Sequence, residues 1–163
     1  MTERQLPTEE VLTILAATPS RLARLTADLT PDQLRAAPAP DEWSATEVLA
    51  HLRSCADVWG GCIQRILAED EPTLRALNPR TWIKRTNYPA LEFDASLQAF
   101  AAQRAELLAM LNSLEPEAWS RSATVTGSGK PLTRTFHSYT QWLARHERPH
   151  VMQIATVVAT LRS

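Results

Sequence analysis

Ser44-Ala45-Thr46-Glu47-Val48-Leu49-Ala50-His51-Leu52 opens the segment on which the reading of the fold turns. Ser44 and Glu47 have the spacing of a capping box. In that motif the serine hydroxyl accepts from the N–H of position 47, and the Glu47 carboxylate accepts from the N–H of Ser44. A helix starting here continues to about Ala68, because Val48, His51/Leu52, Cys55, Trp59, Cys62 and Ile66 recur at helical spacing. One face of this helix is apolar, and a histidine sits in it.

Working outward, glycine is rare (4) and proline frequent (11), with the prolines falling mostly between long Ala/Leu-rich segments. That is how a helical chain punctuates itself. A helix upstream runs from about Thr8 to Asp28 on a stripe of Leu12, Leu15, Leu22, Leu25 and Leu29, with Pro19 expected to kink or split it. Thr30-Pro31-Asp32-Gln33 reads as the start of a short turn, and Ala37 to Pro40 as an extended linker. Downstream, residues 69–93 contain Pro72, Asn78-Pro79 and Tyr88-Pro89 without a clear period. They read as a long crossover loop with a short helical turn. A third long helix runs from near Asp94 to about Leu114, with Leu97, Phe100, Leu107, Leu108 and Leu111 inward. Residues 121–134 suit a loop or small hairpin, and a fourth helix runs from about Thr135 to Leu161, with a bend expected at Pro149. The expectation is an all-α four-helix bundle, residues 1–163 forming one domain, with the long crossover between the second and third long helices.

Composition narrows the function. Lys+Arg total 17 against Asp+Glu 18, a net charge of −1, and no helix-turn-helix signal is present, so nucleic acid is not an expected partner. The stretch from Val151 to Leu161 is too short to span a bilayer. The polar N-terminus, Met1 to Pro7, lacks the apolar core of a signal peptide. Cys55 and Cys62 lie about 10 Å apart along one helix, beyond disulfide reach. These features together read as a reduced, cytoplasmic protein. Gly127-Ser128-Gly129-Lys130 is a turn and not a phosphate loop, since Thr124 and Pro131 stand where that motif needs Gly and Ser/Thr.

Chemistry concentrates in the histidines. His146 and His150 are one helical turn apart on the inward stripe of the fourth helix, and His51 is on the inward stripe of the second. Core histidines, each satisfied by a nearby acceptor, are the plain reading. Three on facing stripes also suit a divalent metal, which accepts three lone pairs at once and leaves a position open. His137 is half a turn out of phase and is expected to face away, as a surface or interface histidine.

Asp41-Glu42-Trp43-Ser44-Ala45-Thr46-Glu47-Val48-Leu49-Ala50-His51-Leu52, followed by His146-Glu147-Arg148-Pro149-His150-Val151-Met152-Gln153-Ile154, resembles the DinB-like family. The resemblance implies a four-helix bundle of up-down-down-up connectivity. It also implies a divalent metal ion held by His51, His146 and His150, with zinc expected first and nickel or iron as alternatives. The implied function is a metal-dependent transferase using a low-molecular-weight thiol as nucleophile on a small-molecule substrate. A metal-dependent hydrolase using activated water, or a non-catalytic, stress-related metal-binding module, are the alternatives. Homodimers are common in the family.

Around these ligands, Glu47 has a sufficient role in the capping box and is a secondary candidate for ligand or base. Cys55, one turn after His51, reads as a small core residue or a fourth ligand, and Gln153 as a group that orients a ligand or bonds a backbone group. Trp43, Trp59 and Trp142 read as core or cleft wall. Arg80, Lys84 and Arg85 read as solvated loop charge, with an anionic-substrate contact near the metal cleft as the sharper alternative.

Overall fold

The computed structural model describes residues 4–163; Met1 to Glu3 of the polar N-terminus lie outside the described residues. Four long helices carry the architecture: α1 (Thr8–Thr26), α3 (Ala45–Ala68), α5 (Phe93–Asn112) and α6 (Phe136–Arg162). Two short ones, α2 (Pro31–Arg35) and α4 (Pro79–Trp82), sit in the connections.

Local chemistry sets the starts. The Ser44/Glu47 capping box is formed: Glu47 N donates to Ser44 Oγ at 3.2 Å and Ser44 N to Glu47 Oε1 at 3.1 Å. Thr30 and Gln33 form a second capping box on α2. Thr135 caps α6, its hydroxyl accepting from Ser138 N at 3.0 Å. The two internal prolines do not divide their helices. Pro19 has no N–H to offer the Leu15 carbonyl. Arg104, reaching across from α5, donates to that carbonyl from Nη1 at 2.9 Å.

Cross-helix bonds fix the directions. Leu6 pairs with Gln141, Thr18 with Glu147 and Asp28 with Arg162, so α1 and α6 run parallel. Arg53 pairs with Ser96 and Asp57 with Gln103, so α3 and α5 run parallel. His51 meets His146, whereas Trp59, two turns on, meets Trp142, so α3 and α6 are antiparallel. The order is therefore up, down, down, up, as expected.

The crossover holds more structure than its sequence suggests. Thr73–Arg75 forms strand β1, which pairs in parallel with β2 (Ser122–Thr126), and β2 pairs antiparallel with β3 (Leu132–Thr135). Residues 121–134 are thus the small hairpin, turning through Gly127 and Gly129 at φ +87° and +84°. The crossover adds a third strand, which corrects its reading as a loop. A three-residue strand shows no usable alternation, and its partner lies about fifty residues away. Leu74, Ala123 and Val125 on the sheet pack with Trp119 and Phe136 into one end of the core. A second apolar cluster around Leu22, Leu49, Phe100 and Ile154 fills the other end.

His137 departs from expectation. It is buried, its ring lies 5.7 Å from Trp119, and its Nε2 has no hydrogen-bond partner. The segment Pro116–Ser120 folds back over the first turn of α6, where Arg121 O accepts from Phe136 N, so the outward face of that turn is covered too.

Candidate metal centre

His51 enters from α3, one turn after Glu47, and His146 and His150 enter from α6. Because α3 and α6 are antiparallel and in close contact, the two inward stripes meet. His51 Nε2 lies 3.0 Å from His146 Nε2, and His150 Nε2 lies 3.2 Å from His146 Nε2. His51 is buried and the other two are half-buried.

Hydrogen bonding alone does not account for both short imidazole contacts in this cluster. Gln153 Oε1 can only accept, so at 2.8 Å it fixes His150 Nδ1 as the donor and leaves His150 Nε2 a lone pair. His146 Nε2 touches both neighbours, and one hydrogen cannot serve both contacts. Burial, then the neighbouring imidazoles His150 and His146, then Arg80, lower the pKa of His51 to about 4. Burial, His150 and Arg80 also lower that of His146. Both rings are therefore neutral near pH 7, and each keeps one nitrogen lone pair. A divalent cation resolves such an arrangement. Zn–N bonds of 2.0–2.1 Å in a tetrahedron place nitrogens about 3.3 Å apart, close to the spacings here.

Cys55, one turn beyond His51, lies beneath the imidazoles with its Sγ 3.5 Å from His51 Nε2. Donor atoms of His51, Cys55 and His146 all lie within 4.8 Å of one another, so a second donor set shares two of its members with the first. The Cys55 side chain is fully buried, and burial, reinforced by the Glu147 charge, pushes its thiol up to about 12. As the chain stands, it is a protonated thiol packed against the core.

Aromatic rings wall the cluster. Trp43 lies 5.3 Å from His51 and stacks over His150 at 6.4 Å. Trp59 meets His146 edge-on at 5.0 Å, and Trp142 stacks on Trp59 at 4.6 Å. Of the core and cleft-wall readings, Trp59 meets both, since it is buried in the core and borders His146.

Two nearby carboxylates, Glu47 and Glu147, are committed elsewhere. Glu47 stays in its capping box, exposed at the helix start. Glu147, beside His146 in sequence, points into the bundle. Its Oε1 accepts from Thr18 at 2.8 Å and from Arg104 at 2.9 Å, and its Oε2 from Arg104 at 2.5 Å. This buried pair escaped the sequence reading. The available signal was phase: Arg104 falls on the stripe of Phe100 and Leu111, and Glu147 on that of Leu143 and Ile154.

Asp57 is a further residue with no signal in the sequence. Two turns below His51, it accepts from Trp82 Nε1 at 3.1 Å, Tyr88 OH at 2.5 Å and Gln103 Nε2 at 3.0 Å. It thereby docks the crossover onto α3 and α5. Of the basic residues in that crossover, Arg80 stands over the Trp43 ring at 5.5 Å, while Arg85 lies over Trp82 and Lys84 is exposed. No helix among the described residues is long and apolar enough to cross a membrane.

A family model described as the DinB superfamily matches residues 14–154. Among solved structures, YfiT from Bacillus subtilis, described as a probable metal-dependent hydrolase with an unusual four-helix bundle topology, superposes with a TM-score of 0.81. It is 16% identical, over 99% of this chain and 93% of that one. A mycothiol-dependent maleylpyruvate isomerase superposes with a TM-score of 0.68 at 17% identity, over 94% of this chain and 63% of that longer one. At the level of sequence, no curated protein matches the chain.

Proposed function

The chain belongs to the DinB superfamily, and from that premise we propose that it is a metal-dependent transferase working with a low-molecular-weight thiol. His51, His146 and His150 would hold one divalent ion, zinc first, although nickel and iron accept the same donors. The observation carrying this reading is the convergence of three Nε2 atoms at 3.0 and 3.2 Å, close to the nitrogen spacing of a zinc tetrahedron. When bound, such an ion lowers the pKa of a thiol or water placed beside it.

The chain's own residues supply orientation and exclusion of water. Gln153 holds the His150 ring, and Trp43 and Trp59 flank the cluster. Neither Glu47 nor Glu147 faces the imidazoles as a general base. That favours a thiol, which needs only to release its proton to solvent, over a water that must be deprotonated during attack. The transfer forms a bond from the thiol sulfur to an electrophilic carbon, and the leaving group departs with the electron pair. The mycothiol dependence of the structurally similar isomerase supports the thiol.

Hydrolysis is the second reading, favoured by the description of YfiT as a probable hydrolase. To decide, zinc-loaded protein is incubated with an activated aryl halide and a panel of small thiols, and thioether product is followed by mass spectrometry. The account expects thiol-dependent product that disappears on chelation and in His146→Ala. Metal-dependent ester or amide cleavage without thiol would replace it with the hydrolase reading. Cobalt-loaded protein showing a Cys55 thiolate band and no turnover of either kind would leave a non-catalytic site.

A further inference from the structure

Arg80 is the one cation of the crossover that stands over the ring wall of the imidazole cluster. Its place is fixed locally and tertiarily. Asn78 Oδ1 accepts from Arg80 N at 2.9 Å and Pro79 opens α4, so the arginine projects from a defined turn. Two residues on, Trp82 bonds Asp57, which ties that turn to α3. The guanidinium lies 5.5 Å over Trp43, the ring that stacks on His150. A cavity of about 450 Å³ is bordered by Arg80, Trp43, His150 and Gln153, a size that suits a small ligand. Asp41 and Glu42 also border it, but Arg80 has no ion pair and no side-chain hydrogen bond among the described residues. An unpaired, planar fork of donors on a cavity wall matches a carboxylate.

We propose that Arg80 is the specificity-determining residue of this cavity and binds a carboxylate of the small molecule that reacts beside His51, His146 and His150. The inference rests on the transferase reading for the identity of the reacting partner. The carboxylate could be carried by the thiol or by the electrophile. Either way, neutral small molecules are poorer ligands than their carboxylated counterparts, and the difference runs through Arg80.

The test uses the zinc-loaded protein and calorimetric titration with 3-mercaptopropionate, 2-mercaptoethanol and succinate, in the natural chain and in Arg80→Gln and Arg80→Lys. Zinc content is measured in each. Charge-assisted hydrogen bonds of this kind are worth about tenfold or more in affinity. An Arg80-dependent preference of that size for 3-mercaptopropionate over 2-mercaptoethanol, partly restored by lysine, supports the proposal with the carboxylate on the thiol. Arg80-dependent succinate binding that persists alongside 2-mercaptoethanol supports it with the carboxylate on the electrophile. Equal affinities in the natural chain and Arg80→Gln for both carboxylates overturn it. Cobalt-loaded samples titrated in parallel keep the two claims apart. If neither thiol produces a sulfur charge-transfer band, the thiol reading falls, while the succinate titration still decides Arg80.

Discussion

Arg104 Nη2 lies 2.5 Å from Glu147 Oε2, and both side chains are sealed within the bundle. The same guanidinium donates to the Leu15 carbonyl that Pro19 leaves without a partner. One side chain thus links α5 to α6 and covers a backbone defect in α1. Burying such a pair is costly, and its attraction compensates only while both members and their extra hydrogen bonds are present. Removing one partner strands a charge. Glu147→Ala and Arg104→Ala are each expected to lower stability by roughly 3–5 kcal/mol, read by urea denaturation. A paired Arg104→Met, Glu147→Leu variant should lose much less than the two single losses combined. Additive losses would show that the pair is not coupled.

Asp57 predicts a local effect. Its carboxylate accepts three hydrogen bonds, two of them from the crossover. Burial and the Asp57 charge together push the Tyr88 phenol up to about 12, so Tyr88 donates to the carboxylate at every ordinary pH. Asp57→Ala leaves Trp82 and Tyr88 unpaired and should cost about 1–3 kcal/mol. Hydrogen exchange should rise in residues 72–91 more than in α1 or α6. Uniform acceleration across the chain would mean that Asp57 does not act as a local dock.

Acid should weaken the metal-free protein over a defined window. His51 titrates near 4 in the folded chain, against 6.5 for a free histidine. Between those values the unfolded chain binds the proton and the folded chain does not, so stability falls as pH drops from 6.5 to 4. The depressed His51 pKa alone corresponds to about 3 kcal/mol over that window. Chelator-treated protein, unfolded in urea at several pH values, should show this slope, and His51→Phe should flatten it. A profile unchanged by His51→Phe would show that the ring does not titrate as described.

Much of this was legible in the residues, and the failures share a cause. The capping box at Ser44, the apolar stripes and the i, i+4 pair His146/His150 are local signals, and each long helix begins and ends within a few residues of where they point. What escaped depends on distant partners. Thr73–Arg75 becomes a strand only because Ser122–Thr126 lies alongside. His137 is buried only because Pro116–Ser120 folds over it. Arg104 and Glu147 break the apolar pattern at core phase, and their meaning emerges only when both are seen across the bundle. Arg80 was visible as one of three loop cations, but its place over Trp43 depends on the Asp57 dock.

We propose three imidazoles, and not Cys55, as the holder of one divalent ion. This assignment is tested most directly by elemental analysis of the purified chain and of His51→Ala, His146→Ala, His150→Ala and Cys55→Ala, with circular dichroism confirming the helical fold of each. The account predicts about one equivalent of metal in the natural chain and in Cys55→Ala, and a small fraction of that in each folded histidine variant. Full metal content in folded His150→Ala, with loss in Cys55→Ala, would contradict it.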